Sequence, residues 1–336
     1  MTLLESLLWP LTLPYGAATH LRARAYRTGL LRAKRLDGVV ISVGNLTVGG
    51  TGKTPMVLWI AQRLAAEGKK TAILTRGYRG HESSSGRASD EVQLLKARLG
   101  ERVSFGVGAD RYDRGRELSQ RGVDWFILDD GFQHLQLARD VDIVLIDATN
   151  PFGGGHLLPA GRLREPRSAL GRANMIVITR SDHAPAVEAL VRRETDAPIF
   201  YARTVLDSID LPCSSAPAGS DARERKLFAV CGIGNPKAFV EDLASWGLSV
   251  VGHSFFPDHH RFSAAEIQMI ERKAKAAGAV ALLCTEKDLF NLSGVTPAMD
   301  LFVCRISLRI AKEDEFWATL MQIAEIRRQT GAHVQR

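Results

Sequence analysis

The chain has 336 residues, of which 45% are hydrophobic and 24% charged, and this composition excludes a protein that is disordered throughout. Its 44 basic and 37 acidic side chains give a net charge of +7, which favours an anionic partner such as a nucleotide, a nucleic acid or an acidic membrane. The four cysteines (Cys213, Cys231, Cys284 and Cys304) are widely spaced and form no CxxC pair. Neither a zinc site nor a disulfide framework is therefore expected, and a reducing, cytosolic environment fits better.

The first 36 residues predict an amphipathic helix that associates with a membrane. Apolar side chains cluster on one helical face, and a basic stretch follows them: the apolar ones are Leu3, Leu4, Leu7, Leu8 and Trp9, and the basic ones are Arg22, Arg24, Arg27, Arg32, Lys34 and Arg35. No apolar run reaches the roughly 18 residues that a membrane-spanning helix needs. A signal peptide would carry its positive charges before the apolar stretch. The alternative is an ordinary amphipathic helix packed on the domain that follows.

Six short apolar runs come next and predict strands of a parallel sheet. They cover residues 38–44, 71–77, 102–107, 124–130, 142–148 and 174–180. Most are apolar throughout rather than alternating, as expected of parallel strands that are buried on both faces. Helical patterns, such as the one at 56–68, lie between them. The pattern is typical of a doubly wound, mostly parallel α/β sheet.

A polar stretch at 213–226 predicts a boundary, after which a second and smaller α/β set begins. Its apolar runs lie at 227–236, 248–256 and 279–288, with helices near 237–246 and 264–277. The apolar stretches 198–206 and 301–310 flank this set, and we expect them to pair as a two-strand link that returns the last helix, 312–330, to the first domain. The expected division is a membrane-associating segment 1–36, a first domain 37–205 joined by 308–336, and a smaller domain 206–307.

The stretch VGGTGKTP, from Val48 to Pro55, predicts a phosphate-binding loop between a strand and a helix. The usual pattern G-x-x-x-x-G-K-[ST] would place a glycine at residue 47, where this chain has Thr47. The glycines allow backbone N–H groups to converge on phosphate oxygens, Lys53 would reach the β- and γ-phosphates, and Thr54 would bind Mg²⁺. The predicted nucleotide-binding residues are Thr47, Val48, Gly49, Gly50, Thr51, Gly52, Lys53 and Thr54. The alternative is a glycine-rich turn without a ligand.

Asp129 and Asp130 directly follow four apolar residues of a predicted strand. A phosphate loop needs an acidic residue at the end of a neighbouring strand to hold the metal ion or its water, and this pair has the expected form. The alternative is a solvated turn.

Two alternative classes of function can be weighed for a chain with these features. VITRSD at 177–182 is similar to the motif that reads guanine in GTPases, although Arg180 replaces the lysine of that motif, so a P-loop GTPase or metal-insertion NTPase is the alternative enzyme. A nucleic-acid-binding module rests on charge alone, because the chain lacks the aromatic platforms or zinc knuckles that would support it.

Seven motifs, in this order, resemble the tetraacyldisaccharide 4′-kinase family: VGNLTVGGTGKTP, TRGYRG, SDE, LDDGFQH, LLPAGRLREP, FPDHHRF and TEKD. The resemblance spans about residues 1 to 310, and the set is specific although no single motif is. The family phosphorylates the 4′ hydroxyl of the lipid A precursor in Gram-negative bacteria and shares the threonine at the start of the loop. The resemblance implies a P-loop kinase domain joined by a β-ribbon to a smaller α/β domain, with a basic amphipathic N-terminus at the inner membrane.

The resemblance also implies roles for individual residues. Asp90 of SDE is similar to the family's general base and His259 to its partner, although the adjacent His260 keeps that choice open. Val92 stands where the family usually has proline. The implied metal group is Thr54, Asp129, Asp130 and Glu165, with the direct ligands left open, and Arg111 and Arg164 are expected near the phosphates. The simpler alternatives are a helix-terminal acid for Asp90, a loop carboxylate for Glu165, and a polar loop for the histidines.

The implied cofactors are ATP and Mg²⁺, and the implied substrate is an acylated glucosamine disaccharide 1-phosphate. Anionic inner-membrane lipids are the expected surface partner, at the cytoplasmic face, and no nucleic-acid partner is expected. Because the sequence assigns Asp90 to the first domain and His259 to the second, closure of the two domains is expected to bring this pair together.

Overall fold

The computed structural model describes residues 3–77, 89–211, 222–292 and 294–333. Residues 78–80 of the TRGYRG motif, Cys213, and 213–221 of the predicted boundary stretch lie outside the described residues. Contacts divide the chain into two compact units. In described residues, the first unit comprises the chain up to 77, then 98–204 and 308–333, and the second comprises 89–97 and 205–307.

The N-terminal helix of the first unit, α1 (Leu3–Arg27), contains two prolines, Pro10 and Pro14. Its outer surface exposes large apolar side chains, namely Trp9, Leu11, Leu13 and Leu21. Leu3, Leu4 and Leu7 of the predicted apolar face have side chains outside the described part. In the part of the chain that the structure describes, no helix combines the length and the apolar character needed to cross a bilayer.

The first unit contains a fully parallel sheet with the strand order β3-β2-β4-β1-β5-β6-β7. The strands are β1 (Val39–Asn45), β2 (Thr71–Thr75), β3 (Ser104–Val107), β4 (Trp125–Asp129), β5 (Val141–Asp147), β6 (Met175–Thr179) and the first part of β7 (Ile199–Asp210). Every residue of β1 and of β5 is buried, so the predicted doubly wound α/β sheet is confirmed.

Strand β1 lies at the centre of this sheet, between β4 and β5. Because all these strands are parallel, their carboxyl ends lie at one edge, where open α/β sheets bind ligands. Besides α1, the described helices of the first unit are α2 (Lys53–Ala66), α4 (Arg111–Ser119), α5 (Pro185–Arg192) and α9 (Glu313–His333). Helix α9 joins this unit through a hydrogen bond of 2.6 Å from Trp317 Nε1 to Glu67 Oε1.

The second unit contains a smaller parallel sheet with the strand order β11-β10-β8-β9. Its strands are β8 (Leu227–Cys231), β9 (Val250–Phe255), β10 (Ala281–Thr285) and most of β11 (Leu301–Ile310), and its helices are α6 (Pro236–Ser245), α7 (Ala264–Ala276) and α8 (Glu286–Asn291). Most of α3 (Asp90–Leu99) also belongs here, which differs from the division expected from the sequence. Strands β7 and β11 are neighbours in the sheet and run through both units, so the expected β-ribbon is present.

Candidate active site

The loop between β1 and α2 has the backbone of an anion-binding site. Gly49 and Gly52 have φ angles of +124° and +88°, which only glycine adopts readily. Gly52 is also the N-cap of α2, and within the described part of the chain no side chain caps this helix end. The first turn of α2 contains no acidic residue. The positive end of the helix dipole and its first N–H groups therefore lack a side-chain counter-charge, as a phosphate site requires.

The start of this loop is extended, which explains why it needs no glycine at position 47. Thr47 forms an antiparallel bridge with Leu163. On either side of that bridge, Val48 N–H donates to the Arg162 carbonyl (2.8 Å) and Arg164 N–H donates to the Leu46 carbonyl (2.7 Å). A β-branched residue suits such an extended, paired position. The threonine of this loop is therefore held by the LLPAGRLREP segment.

Lys53, Asp130, Arg164 and Arg111 come together beside the loop. Lys53 Nζ donates to Asn45 Oδ1 (3.1 Å) and lies 3.5 Å from Asp130 Oδ1. Arg164 NH1 binds Asp130 Oδ2 at 2.6 Å, and Arg111 NH1 donates to the Asp130 carbonyl at 3.3 Å. Burial alone would raise the pKa of Asp130, but the charges of Lys53, Arg164 and Arg111 outweigh it and hold that pKa below its usual value. Asp130 is therefore an ionised carboxylate within a basic cluster.

Asp129, the last residue of β4, is buried beside this cluster. The register of the sheet pairs it with Val43 of β1, two residues before β1 ends. Thr75 Oγ1 donates to Asp129 Oδ2 at 3.3 Å. Both predicted aspartates therefore lie at the carboxyl edge of the sheet next to the phosphate loop, rather than in a solvated turn.

Glu165 is buried, and Arg172 binds both of its carboxylate oxygens, with N–O distances of 3.1 and 2.9 Å. The adjacent Arg164 carbonyl accepts a hydrogen bond of 3.0 Å from Tyr15 of α1. Among the described residues, no group of three or more histidine, cysteine, aspartate or glutamate side chains is arranged to hold a metal ion. A metal-binding role for Glu165 therefore stays a prediction.

Asp90 and His259 form a direct pair within the second unit. His259 Nδ1 lies 2.8 Å from Asp90 Oδ1 and 2.9 Å from Oδ2. His260 instead contacts Glu266 through Nε2 at 3.0 Å, so the structure identifies His259 as the residue bonded to Asp90. Because both partners of the pair belong to one unit, the expectation that domain closure brings them together is wrong.

Two further side chains surround the Asp90 carboxylate. Asn291 Nδ2 donates to Asp90 Oδ2 at 3.0 Å, and Lys287 Nζ lies 3.9 Å from the same oxygen. Burial would raise the pKa of Asp90, but the hydrogen bond from His259 and the charge of Lys287 outweigh it and lower that pKa. The hydrogen bond to Asp90 raises the pKa of His259 against the effect of burial. Asp90 is thus an ionised carboxylate whose orientation is fixed by His259 and Asn291.

Asp90 is also the first residue of α3, and its Oδ1 accepts the Glu91 N–H at 2.9 Å. The simpler interpretation, a helix-terminal acid, is therefore correct as far as it goes. It does not account for the contacts with His259, Asn291 and Lys287, which exceed what a helix end requires.

Comparison with known proteins assigns a family to this arrangement. The chain matches the family described as Tetraacyldisaccharide-1-P 4′-kinase over residues 4–325. It belongs to the tetraacyldisaccharide-1-P 4′-kinase family. The tetraacyldisaccharide 4′-kinase of Anaeromyxobacter dehalogenans is 40% identical over 299 residues, which cover 83% of this chain and 79% of that protein. That of Geobacter metallireducens is 41% identical over 312 residues, 87% and 90% of the two chains.

A solved structure supports the same assignment. The chain is similar to LpxK from Aquifex aeolicus, whose "apo" form was crystallised in complex with ATP, with a TM-score of 0.72 and 30% sequence identity. The similarity covers 96% of this chain and 99% of that one. Membership of this kinase family does not favour the alternative that the chain is a GTPase. Arg180, which replaces the lysine of the guanine motif, lies 3.2 Å from Asp147 at the end of β5.

Three residues of this family member's site were not predicted as functional from the sequence. Lys287 belongs to the TEKD motif, and Asn291 follows it by four residues, so both lie on one face of α8. Asn45, the last residue of β1, binds Lys53 and also donates to the Thr47 carbonyl at 2.8 Å. The spacing of Lys287 and Asn291 was a usable signal, but their approach to Asp90 is a long-range contact that local patterns do not reveal.

Proposed function

We propose that this chain is an ATP-dependent kinase that phosphorylates the 4′ hydroxyl of the tetraacyl glucosamine disaccharide 1-phosphate precursor of lipid A. The observation that carries the proposal is a family match over residues 4–325 in a chain whose phosphate loop is fully formed. The N–H groups at the start of α2 hold the phosphates, and Lys53 neutralises charge at the β- and γ-phosphates. Arg111 and Arg164 add positive charge around Asp130.

Mg²⁺ is the metal that this site would take. Asp130 Oδ1 is buried and accepts no hydrogen bond among the described residues, although Lys53 lies 3.5 Å away, so a carboxylate oxygen is left for a hard cation. Thr54, Asp129 and Asp130 would hold the ion directly or through water, and Glu165 completes the predicted group. A bound Mg²⁺ would supply positive charge that offsets the negative charge developing on the transferred phosphate.

Asp90 is proposed as the base that accepts the proton of the 4′ hydroxyl. Phosphoryl transfer depends mainly on positioning and charge neutralisation, but the attacking hydroxyl must lose its proton. His259 orients the Asp90 carboxylate through the bonds of 2.8 and 2.9 Å, and Asn291 fixes the Oδ2 atom. The Asp90 carboxylate is ionised at neutral pH, as a proton acceptor must be, while its lowered pKa makes it a weaker base than an ordinary aspartate.

Helix α1 is proposed as the contact with anionic lipid at the cytoplasmic face of the inner membrane. Its exposed side chains include Trp9, Leu11, Leu13 and Leu21, and Arg24 and Arg27 lie in its last turn. Apolar insertion together with roughly 1 kcal/mol per basic residue near an anionic surface is the usual basis of such peripheral attachment. The acyl chains of the proposed substrate lie in the same membrane.

The decisive experiment measures transfer of labelled γ-phosphate from ATP to the purified tetraacyl disaccharide 1-phosphate with Mg²⁺ present. We expect a labelled lipid product whose new phosphate is on the 4′ oxygen, and no product from the Lys53→Met variant. Absence of a lipid product together with strong GTP hydrolysis would support the GTPase alternative and overturn the proposal.

A further inference from the structure

Arg162 lies against the phosphate loop, and its side chain has been given no role so far. Its backbone is fixed there, because the Arg162 carbonyl accepts the Val48 N–H at 2.8 Å. Its side chain turns back to the same residue, with Nε donating to the Val48 carbonyl at 3.2 Å. Backbone and side chain together therefore hold Arg162 at the second residue of the loop.

Two glycines provide the space that this side chain occupies. A Cβ atom at Gly49 would collide with the Arg162 guanidinium, whose Cζ would be only 3.5 Å away and one of its terminal nitrogens nearer still. A Cβ at Gly153 would lie 2.6 Å from the Arg162 Cβ. Gly153 also has a φ of +55°, which disfavours other residues. The Arg162 side chain thus lies in a slot between the phosphate loop and the turn at Gly153.

Among the described residues, the guanidinium of Arg162 has no acidic partner. Its bond to Val48 is the only hydrogen bond of its side chain within the described ranges, and no carboxylate there lies within ion-pair distance. Nearby arginines differ, because Arg164 is bound by Asp130 and Arg172 by Glu165. An exposed guanidinium held across a phosphate loop, with both terminal nitrogens directed to no acceptor, is arranged for an anion.

We propose that Arg162 binds the terminal phosphate of ATP and stabilises the phosphoryl group during its transfer. This inference rests on the proposed kinase function. In that reaction the bond from the γ-phosphorus to the bridging oxygen of ADP breaks, a bond to the 4′ oxygen forms, and the hydroxyl proton passes to Asp90. Arg162 adds charge-assisted hydrogen bonds to the equatorial oxygens, as arginine fingers do in other phosphate-loop enzymes.

We expect Arg162 to contact the γ-phosphate because other groups of the loop surround the inner phosphates. Backbone N–H groups of the loop and the start of α2 surround the phosphates nearer the nucleoside. Arg162 is instead attached to a carbonyl of the loop, at Val48, and crosses Gly49. Its two free terminal nitrogens can form a bidentate contact, for which the γ-phosphate offers the most oxygens and the most charge.

The test compares Arg162→Gln and Arg162→Lys with a matched control, Arg167→Gln. Arg167 lies in the same segment, but its guanidinium covers the Phe152 ring, with Cζ 4.4 Å from the ring centroid. For each full-length variant, calorimetry with Mg²⁺ gives the Kd of ADP and of the non-hydrolysable ATP analogue with an imido β–γ bridge. The ratio of the two Kd values isolates the contribution of the γ-phosphate and requires no lipid substrate.

We expect Arg162→Gln to bind ADP within about twofold of the wild type, but to lose about tenfold of the preference for the triphosphate analogue. Its kcat for lipid phosphorylation should fall on the order of 100-fold, as for loss of one transition-state donor. Arg162→Lys should recover part of both, because an ammonium keeps the charge but not the bidentate geometry. Arg167→Gln should behave as the wild type in both assays.

An unchanged Kd ratio in Arg162→Gln, or an equal loss in Arg167→Gln, overturns the proposal. Equal weakening of ADP and analogue overturns it too, because the contact would then lie at the inner phosphates. If Arg162→Gln does not fold, the ratio in Arg162→Lys decides. A wild type that prefers the triphosphate through Arg162 yet leaves the lipid unmodified would refute the proposed kinase function and leave this contact standing.

Discussion

Replacing Lys287 by methionine should destabilise the second unit, and the structure allows the size of the effect to be worked out. Lys287 Nζ lies 2.8 Å from Asp258 Oδ1, 3.5 Å from Glu91 Oε1 and 3.9 Å from Asp90 Oδ2. The lysine side chain is only 16% exposed. Methionine retains most of its length and apolar stem but removes the charge. Three carboxylates then remain without their shared counter-ion.

The magnitude follows from which of these carboxylates water can reach. At an effective dielectric constant of about 20, one attraction over 3 to 4 Å amounts to roughly 4–6 kcal/mol before desolvation is subtracted. The side chains of Asp258 and Glu91 are 41% and 39% exposed and can be rehydrated, whereas that of Asp90 is 3% exposed. Removing one partner of a buried ion pair costs about 3–5 kcal/mol. With one buried carboxylate affected, we expect a loss of about 3 kcal/mol.

The loss should depend on pH in a defined direction. Burial would lower the pKa of Lys287, but Glu91, Asp90 and Asp258 outweigh it and raise that pKa. A raised lysine pKa stabilises the folded protein below the unfolded value of 10.5, so the wild type retains this contribution throughout pH 5 to 8. In the variant the carboxylates that lose this charge take up protons more readily, although Asp90 keeps its bond to His259. The difference in unfolding free energy should therefore shrink as the pH falls below about 5, towards the ordinary aspartate value of 3.8.

Amide hydrogen exchange read by mass spectrometry suits this test, because it reports opening of the second unit by itself. Peptides that cover β8 and β10 should lose protection by on the order of 100-fold at pH 8 and by less at pH 4, after correction for intrinsic exchange. The control is Lys275→Met, at an exposed position in the last turn of α7, where the loss should be a few tenths of a kcal/mol. Equal losses at both pH values, or a loss no larger than the control's, would refute the reasoning.

Three further outcomes are expected. Lys53→Met should reduce lipid phosphorylation by at least about 1,000-fold, since it removes the charge at the β- and γ-phosphates, as the radiolabel assay would show. Asp90→Ala and His259→Ala should each lower kcat strongly while ATP binding persists. The double variant should lose little more than the worse single one, because the two act as a unit, so fully multiplicative losses in steady-state kinetics would contradict the pairing. Removing residues 1–36 should reduce co-sedimentation with anionic vesicles, and unchanged sedimentation would make α1 a purely structural helix.

The sheet of the first unit could be predicted from sequence because its signal is local. All six runs predicted between 38 and 180 contain a strand, with ends that differ by at most a few residues. Strands buried on both faces are apolar throughout, so the composition of each short segment is enough to indicate a buried strand. The phosphate loop and the Asp129–Asp130 pair were identified for the same reason, since their positions at strand ends are local features too.

The surroundings of Asp90 could not be predicted in this way. Asp90 and His259 are 169 residues apart, and Asp90 and Asn291 are 201 apart. No periodicity or motif in either segment specifies that they meet. The family resemblance indicated the pair, but the order of the chain led to the wrong expectation that it spans two domains. Glu165 shows the same limit, because nothing in LREP indicates that Arg172 binds its carboxylate.

One residue, Gly232, connects the segments that carry the side chains around Asp90. Its N–H donates to Asp288 Oδ1 of α8 at 2.8 Å, and its carbonyl accepts the His259 N–H at 3.2 Å. Asp288 is completely buried, and Thr285 Oγ1 binds its other oxygen at 2.6 Å. A Cβ at residue 232 would lie 3.0 Å from the Pro257 carbonyl oxygen, so a side chain here would require its neighbours to shift.

The proposed base and the residues that contact it are therefore positioned by the same set of contacts. Helix α8 carries Lys287 and Asn291, and its position relative to His259 is set through Gly232. The orientation of the Asp90 carboxylate therefore depends on contacts within the second unit, so the proposed base is already oriented before substrate binds. A proton acceptor that is preorganised in this way does not have to reorient during the transfer, so no free energy is lost to that reorientation.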